Sequence, residues 1–236
     1  MIITEQKPKE EILSMLEPFK KIFIIGCGTC ATTCQTGGEE QVKEMAEILK
    51  KEGKEITGSV VVESPCDARI LRRDTREKRD EIDQAEIILC MSCGAGVQTV
   101  VQHLKKISAP ALNTKFIGQI ERIGEFYERC RACGECILFE TGGICPIVRC
   151  PKGMLNGPCG GMFEGKCEVG GYKRDCAWVL IYNRLKELGM LDTYRAYRPP
   201  RDNSKLGVEP REIIFVKKRE VNSDDRRDNK RSYEES

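Results

Sequence analysis

Fourteen cysteines against a single histidine constrain this chain of 236 residues more than any other feature of its sequence. The segment MIITEQKPKEEILSML at the start lacks the apolar core of a signal peptide, and no apolar run is long enough for a membrane helix. We therefore expect a cytoplasmic protein without membrane contact, whose reduced thiols bind metal instead of forming disulfides. Thiolate-rich sites favour iron–sulfur clusters or zinc.

The cysteines divide the chain into two parts. Six lie between Cys27 and Cys93 and eight between Cys130 and Cys176, and the stretch between these groups has none. We predict an α/β domain over residues 1–120, a cysteine-rich domain with a C-terminal helix over 121–200, and a charged tail over 201–236. Charged residues make up 32% of the chain but nearly cancel to +2, so the composition gives no indication of a nucleic-acid partner.

Apolar runs alternate with amphipathic segments in the first part, which predicts an open parallel sheet flanked by helices. The predicted strands cover 21–25, 56–63 and 86–90, with a fourth at 114–117. The predicted helices cover 38–52, 68–82 and 96–106. His103 falls on the polar side of the last helix, where we expect it to be solvated and not a ligand.

The first group of cysteines follows three successive predicted strands. Ligands gather at the carboxyl ends of strands in such sheets, so three loops distant in sequence should meet at one rim. Four thiolates hold one [4Fe–4S] cluster, and the favoured set is Cys27, Cys30, Cys66 and Cys93. Cys34 is the reserve ligand, and Cys90 is expected to be a buried core thiol. A CxxC after a strand is also typical of thioredoxin-like redox proteins, but that interpretation leaves Cys66 and Cys93 without a role.

The second group begins with a CxxCxxC triplet, the opening of a bacterial ferredoxin motif. Its members are Cys130, Cys133 and Cys136. The ferredoxin pattern next requires a Cys-Pro pair, and both Cys145-Pro146 and Cys150-Pro151 fit. Cys159, Cys167 and Cys176 bring the total to eight thiolates, enough for two four-cysteine sites whose ligand sharing stays open. The alternative for the sparser set of Cys145, Cys159, Cys167 and Cys176 is a structural zinc ion.

One strongly helical segment, 176–189, follows the cysteine-rich stretch. Its apolar stripe includes Trp178, Ile181, Tyr182 and Leu185. Such a stripe is typical of core packing, and the alternative is a face that docks a partner together with the apolar run 213–216 of the tail.

Several motifs together resemble the C-terminal-domain family of methylenetetrahydrofolate reductases, whose stand-alone members are MetV-type small subunits of anaerobic acetyl-CoA-pathway enzymes. The matching stretches are GCGTCATTCQTGGEEQV at 26–42, SPCDA at 64–68, CGAGVQ at 93–98, NTKFIG at 113–118, ERCRACGECILFETGGICPIVRCPKGMLNGPCGG at 128–161, GKCEV at 165–169 and CAW at 176–178. The block LNGPCGG is the most specific of them.

This resemblance implies an iron–sulfur subunit that is not itself catalytic. It implies two or three [4Fe–4S] clusters, or a zinc ion in place of one C-terminal cluster, on Cys27, Cys30, Cys66, Cys93 and all eight later cysteines. The implied partner is a flavin-containing barrel subunit that binds FMN or FAD and reduces 5,10-methylenetetrahydrofolate to 5-methyltetrahydrofolate. The electrons would come from ferredoxin or another low-potential donor. The alternatives are a zinc-stapled assembly scaffold and an electron-transfer subunit of a corrinoid methyltransferase system.

Overall fold

The computed structural model describes residues 1–203, which build two β-sheets and a set of mostly short helices. The strands are β1 (Ile2–Gln6), β2 (Lys21–Cys27), β3 (Glu55–Val62), β4 (Ile87–Met91), β5 (Ser108–Pro110), β6 (Leu112–Arg122) and β7 (Glu125–Cys130). The α-helices are α1 (Lys9–Leu16), α2 (Cys30–Thr33), α3 (Glu39–Lys51), α4 (Ala68–Asp74), α5 (Arg79–Gln84), α6 (Gly94–Leu104), α7 (Pro146–Arg149), α8 (Ala177–Glu187) and α9 (Leu191–Arg195). No helix in residues 1–203 is long and apolar enough to cross a membrane.

Four strands form the parallel sheet that the sequence predicts. Their order is β3-β2-β4-β5, and every neighbouring pair runs parallel. The central strands β2 and β4 are buried along almost their whole length, which explains why they read as continuous apolar runs without alternation. The predicted mixed α/β class is therefore confirmed.

Helices cover both faces of this sheet, and alternate residues of β2 serve the two layers. Ile22 and Ile24 pack with α1 and α3, whereas Phe23 and Ile25 pack with α4, α5 and α6. This division follows from the two-residue period of a strand. Helix α3 contributes Val42, Met45 and Leu49 from one face, as its sequence predicts.

A second sheet was not foreseen in its actual form. Strand β1 is antiparallel to β6, and β6 is antiparallel to β7. The predicted strand at 114–117 therefore exists within β6 but belongs to this antiparallel sheet, while the short β5 takes the edge of the parallel one. The predicted domain boundary at residue 120 falls inside β6, and the division into domains stays a prediction.

The cysteine-rich part has little regular structure apart from α8. Its core contains Cys176, Trp178, Ile181 and Leu185, all at most 8% exposed. The indole Nε1–H of Trp178 donates to the carbonyl of Met154 at 2.9 Å. The core interpretation of the α8 stripe is thus confirmed for Trp178, Ile181 and Leu185, and the docking interpretation is wrong for these three side chains because almost none of their surface is accessible. Tyr182 is 40% exposed, and the run 213–216 lies outside the described residues.

Candidate metal centres

The loops that follow β2, β3 and β4 carry the first group of cysteines. Cys27 is the last residue of β2, Cys66 lies in the loop after β3, and Cys93 occupies the N-cap position of α6. Because the three strands are parallel neighbours, their carboxyl ends reach the same edge of the sheet. We refer to Cys27, Cys66 and Cys93 as the rim thiols.

The rim thiols lie close enough to influence one another electrostatically. Burial raises the pKa of Cys93, and the thiols of Cys66 and Cys27 raise it further. The backbone amides of Gly96 and Ala95, in the first turn of α6, act in the opposite direction and lower the pKa of Cys93. Amides at a helix start stabilise negative charge, so they partly offset the burial that favours the neutral Cys93 thiol.

The other three cysteines of this group occupy distinct environments. Cys30 begins α2, three residues after Cys27 in the same loop. The Cys34 sulfur lies 3.9 Å from the carbonyl of Ile2, so the reserve ligand faces β1. Cys90 is fully buried inside β4, and burial raises the pKa of its thiol to about 12, as expected of a core thiol.

Glycines let the chain around the rim thiols pack closely. A Cβ at Gly37 would overlap the carbonyl of Met91, the last residue of β4. The amide of Cys27 donates to the carbonyl of Gly37 at 2.9 Å, and the amide of Gly28 donates to Val62 at 2.8 Å. The glycines after β2 thus allow neighbouring backbone segments to pack in direct contact beside the sulfurs.

The eight later cysteines sort into two sets of four, each around its own cavity. The first, which we call the wide quartet, lines a cavity of about 260 Å³ and consists of Cys130, Cys133, Cys136 and Cys145. The second, which we call the tight quartet, lines a cavity of about 20 Å³ and consists of Cys150, Cys159, Cys167 and Cys176. The sequence left Cys145 and Cys150 as equal candidates to complete the triplet, and the structure groups Cys145 with it.

Irregular backbone positions the wide quartet. Ala132 and Gly134 have φ angles of 50° and 80°, so the CxxCxxC segment curls back on itself. The amide of Ala132 donates to the sulfur of Cys130 at 3.3 Å. Hydrogen bonds of this kind tune the reduction potential of a cysteine-bound cluster.

The tight quartet is part of the small core around Trp178. Cys150 and Cys176 both pack in that core. Glu168 reaches the same cavity, where its carboxylate lies 3.9 Å from the Cys159 sulfur and forms an ion pair with Lys152. The lysine offsets the repulsion expected between a carboxylate and thiolates.

Sequence reasoning missed a set of contacts around Arg198, which we call the clamp. Asn156, within the LNGPCGG block, accepts from the amide of Arg198 at 2.7 Å and donates to its carbonyl at 2.8 Å. The Arg198 guanidinium, 5.5 Å from the Trp178 ring centroid, pairs with Glu140 at 3.1 Å. The sequence had singled out the LNGPCGG block that contains Asn156, but no sequence feature pointed to Arg198, which is 42 residues away.

His103 does not join any of these groups. Its Nδ1 accepts from the guanidinium of Arg72 at 3.0 Å on the surface of α6. Within residues 1–203, no three Cys, His, Asp or Glu side chains converge closely enough for a single metal ion. The two quartets are therefore defined by the cavities that their members line and not by close approach of their sulfurs.

Comparison with known proteins identifies the part of the chain that holds both quartets. Residues 109–204 match a family described as the C terminal of methylene-tetrahydrofolate reductase. Neither a curated protein nor a solved structure gives a significant match. The matched segment begins in β5 and contains all eight cysteines of the second group. Residues 109–204 of this chain are therefore similar to the C-terminal region of methylenetetrahydrofolate reductases.

Proposed function

We propose that this chain is a MetV-type iron–sulfur subunit that carries electrons for a methylenetetrahydrofolate reductase. The observation that carries the proposal is the sorting of eight cysteines into two sets of four around separate cavities. Four thiolates are the ligand number of one cubane cluster or one structural zinc ion. The rim thiols with Cys30 supply the third set.

Cavity size separates the two C-terminal sites. A cubane core contains eight atoms, and the wide quartet surrounds about 260 Å³. The tight quartet surrounds about 20 Å³, room for little more than one small species, and it sits in the only apolar core that this half of the described residues offers. We therefore assign cubanes to the rim and the wide quartet and a zinc ion to the tight quartet.

Iron–sulfur clusters, when bound, accept and give single electrons. The chain's own contribution is to hold the thiolates at fixed positions and to place backbone amides beside the sulfurs of Cys93 and Cys130. Electrons would pass from a low-potential donor such as ferredoxin to FMN or FAD in a barrel-type partner subunit. That partner would reduce 5,10-methylenetetrahydrofolate to 5-methyltetrahydrofolate.

Metal analysis of the anaerobically purified full chain tests this proposal. We expect about eight irons and a matching amount of sulfide with one zinc per chain, together with a brown colour that bleaches on reduction. Protein with zinc alone would instead support the assembly scaffold. Clusters that do not pass electrons to a reductase flavin would favour another redox system, such as a corrinoid methyltransferase.

Paired cysteine variants test the rim assignment. Cys66→Ala should lose the N-terminal cluster, about four irons, because it removes one thiolate from the set of four. Cys90→Ala should keep that iron, since its thiol is fully buried in β4. Iron loss from Cys90→Ala together with retention in Cys66→Ala would overturn the assignment.

A further inference from the structure

A basic groove lies between the two quartets. We define the groove by its lining, which includes four cations and two carboxylates and encloses about 400 Å³. The cations are Arg129, Arg149, Lys173 and Arg174, and the carboxylates belong to Glu128 and Asp175. All four cationic side chains are exposed.

The two carboxylates do not neutralise the groove. Glu128 forms its ion pair with Arg131 at 3.0 Å, and Asp175 forms its ion pair with Lys166 at 2.6 Å. Both partner cations lie outside the groove lining. The acidic groups are therefore already occupied, and the groove keeps its positive charge.

The four groove cations have no acidic partner within residues 1–203. The Arg129 guanidinium donates to the amide oxygen of Gln119 at 2.7 Å and lies 5.6 Å from the ring centroid of Tyr127, and both partners are uncharged. Arg174 donates only to the carbonyl of Val169, at 3.4 Å. Unneutralised, exposed cations in a concave surface attract and orient negatively charged surfaces.

The position of the groove identifies the kind of partner. Arg129 also lines the cavity of the wide quartet, and Arg149 also lines the cavity of the tight quartet. An acidic surface seated in the groove would thus lie beside the thiolates of both sites. Building on the proposed electron-transfer function, we infer that the basic groove docks the carboxylate-rich face of a small electron-carrier protein.

Binding measurements on the metal-loaded full chain test this inference with an acidic two-cluster bacterial ferredoxin as the probe. The double variant Lys173→Gln/Arg174→Gln removes two groove charges without touching either quartet cavity. We expect its Kd for the ferredoxin to rise about tenfold at low salt, and the difference to vanish at high salt because screening removes the steering field. Metal content should match the unaltered chain.

The matched control removes two exposed cations elsewhere, by Lys51→Gln/Arg76→Gln, and should leave the Kd unchanged. Equal weakening by both double variants, or no ferredoxin binding by the unaltered chain, would overturn the inference. A single-stranded oligonucleotide that competes for the groove more strongly than ferredoxin would overturn it as well. Ferredoxin binding is measured separately from metal content and cluster reduction. The groove inference can therefore be contradicted while the proposed function stands, and the proposed function can be contradicted while the groove inference stands.

Discussion

The two halves of the described chain are stabilised in different ways. The parallel-sheet half buries twenty-five residues in two apolar clusters, one on each face of the sheet. The cysteine-rich half has one cluster with four buried members, among them Cys176, and the partly buried Cys150 packs against it. A core this small seldom supports a fold without disulfides or metal. Under the proposed metal assignment, this comparison predicts that the first half keeps its fold without metal and that the second half does not.

Metal removal should produce the largest difference in stability between the two halves. Chelation of the full chain should unfold the cysteine-rich half, because structural zinc sites contribute on the order of 10 kcal/mol to folding. The β2–β4 region should keep its amide protection, since its strands are buried by apolar side chains on both faces. Hydrogen exchange resolved by segment is the measurement. Equal loss of protection in β4 and α8 would contradict the comparison.

Trp178→Ala should have the next largest effect. The side chain is 1% exposed and fills the small core, so its removal should cost about 3–5 kcal/mol of unfolding free energy. Denaturant unfolding of the metal-loaded chain, with iron and zinc content alongside, measures it. Lys186→Ala, on the exposed side of the same helix, is the control and should change stability by less than about 0.5 kcal/mol. A Trp178→Ala chain that keeps its stability but loses its partner would revive the docking interpretation of α8.

Arg198→Met should rank third, at a cost of about 2 kcal/mol. It removes hydrogen bonds to the Glu140 carboxylate and to the carbonyls of Glu140 and Thr193 while keeping much of the side chain's apolar length. Arg195→Met, whose side chain is 73% exposed and paired with Asp192, should be nearly neutral. If the two variants unfold at the same denaturant concentration, the clamp contributes nothing to the cysteine-rich half.

Regular periodicity decided what the sequence could reveal. The buried runs of β2 and β4 and the amphipathic face of α3 each follow from local pattern, and all three were predicted nearly at their observed bounds. Strand β1 has only two buried residues, and its pairing with β6 joins segments more than 100 residues apart. No local pattern contains that pairing, which is why the second sheet was not foreseen.

Site prediction met the same limit. Cysteine spacing indicated which residues are candidate metal ligands as a class, and the strand ends indicated where Cys27, Cys66 and Cys93 would meet. Spacing could not decide whether Cys145 or Cys150 completes the triplet, because both precede proline and both are within reach. Which of the two cysteines lies with the triplet depends on the path of the backbone, which has positive φ angles at Ala132 and Gly134. Ala132 is not a glycine, so its positive φ angle could not be expected from the sequence.

The smallest predicted effect lies in the parallel-sheet half and tests whether that half tolerates the loss of a single polar contact. The ammonium of Lys54 donates to the carbonyls of Leu16, Glu17 and Phe19 at 2.7, 3.0 and 2.8 Å, where α1 ends. Lys54→Met keeps the apolar stem but leaves these carbonyls to water, so we expect a loss of about 1–2 kcal/mol in unfolding free energy.

The matched control for this variant is Lys51→Met, an exposed lysine at the end of α3, which should change stability by less than about 0.5 kcal/mol. Both variants should keep full iron content, because twenty-five buried residues still hold the sheet that carries the rim thiols. Denaturant unfolding and iron analysis on the same samples measure both quantities. Loss of the rim cluster from Lys54→Met would show that the parallel-sheet half is as dependent on single contacts as the cysteine-rich half, and the contrast between the two would then disappear.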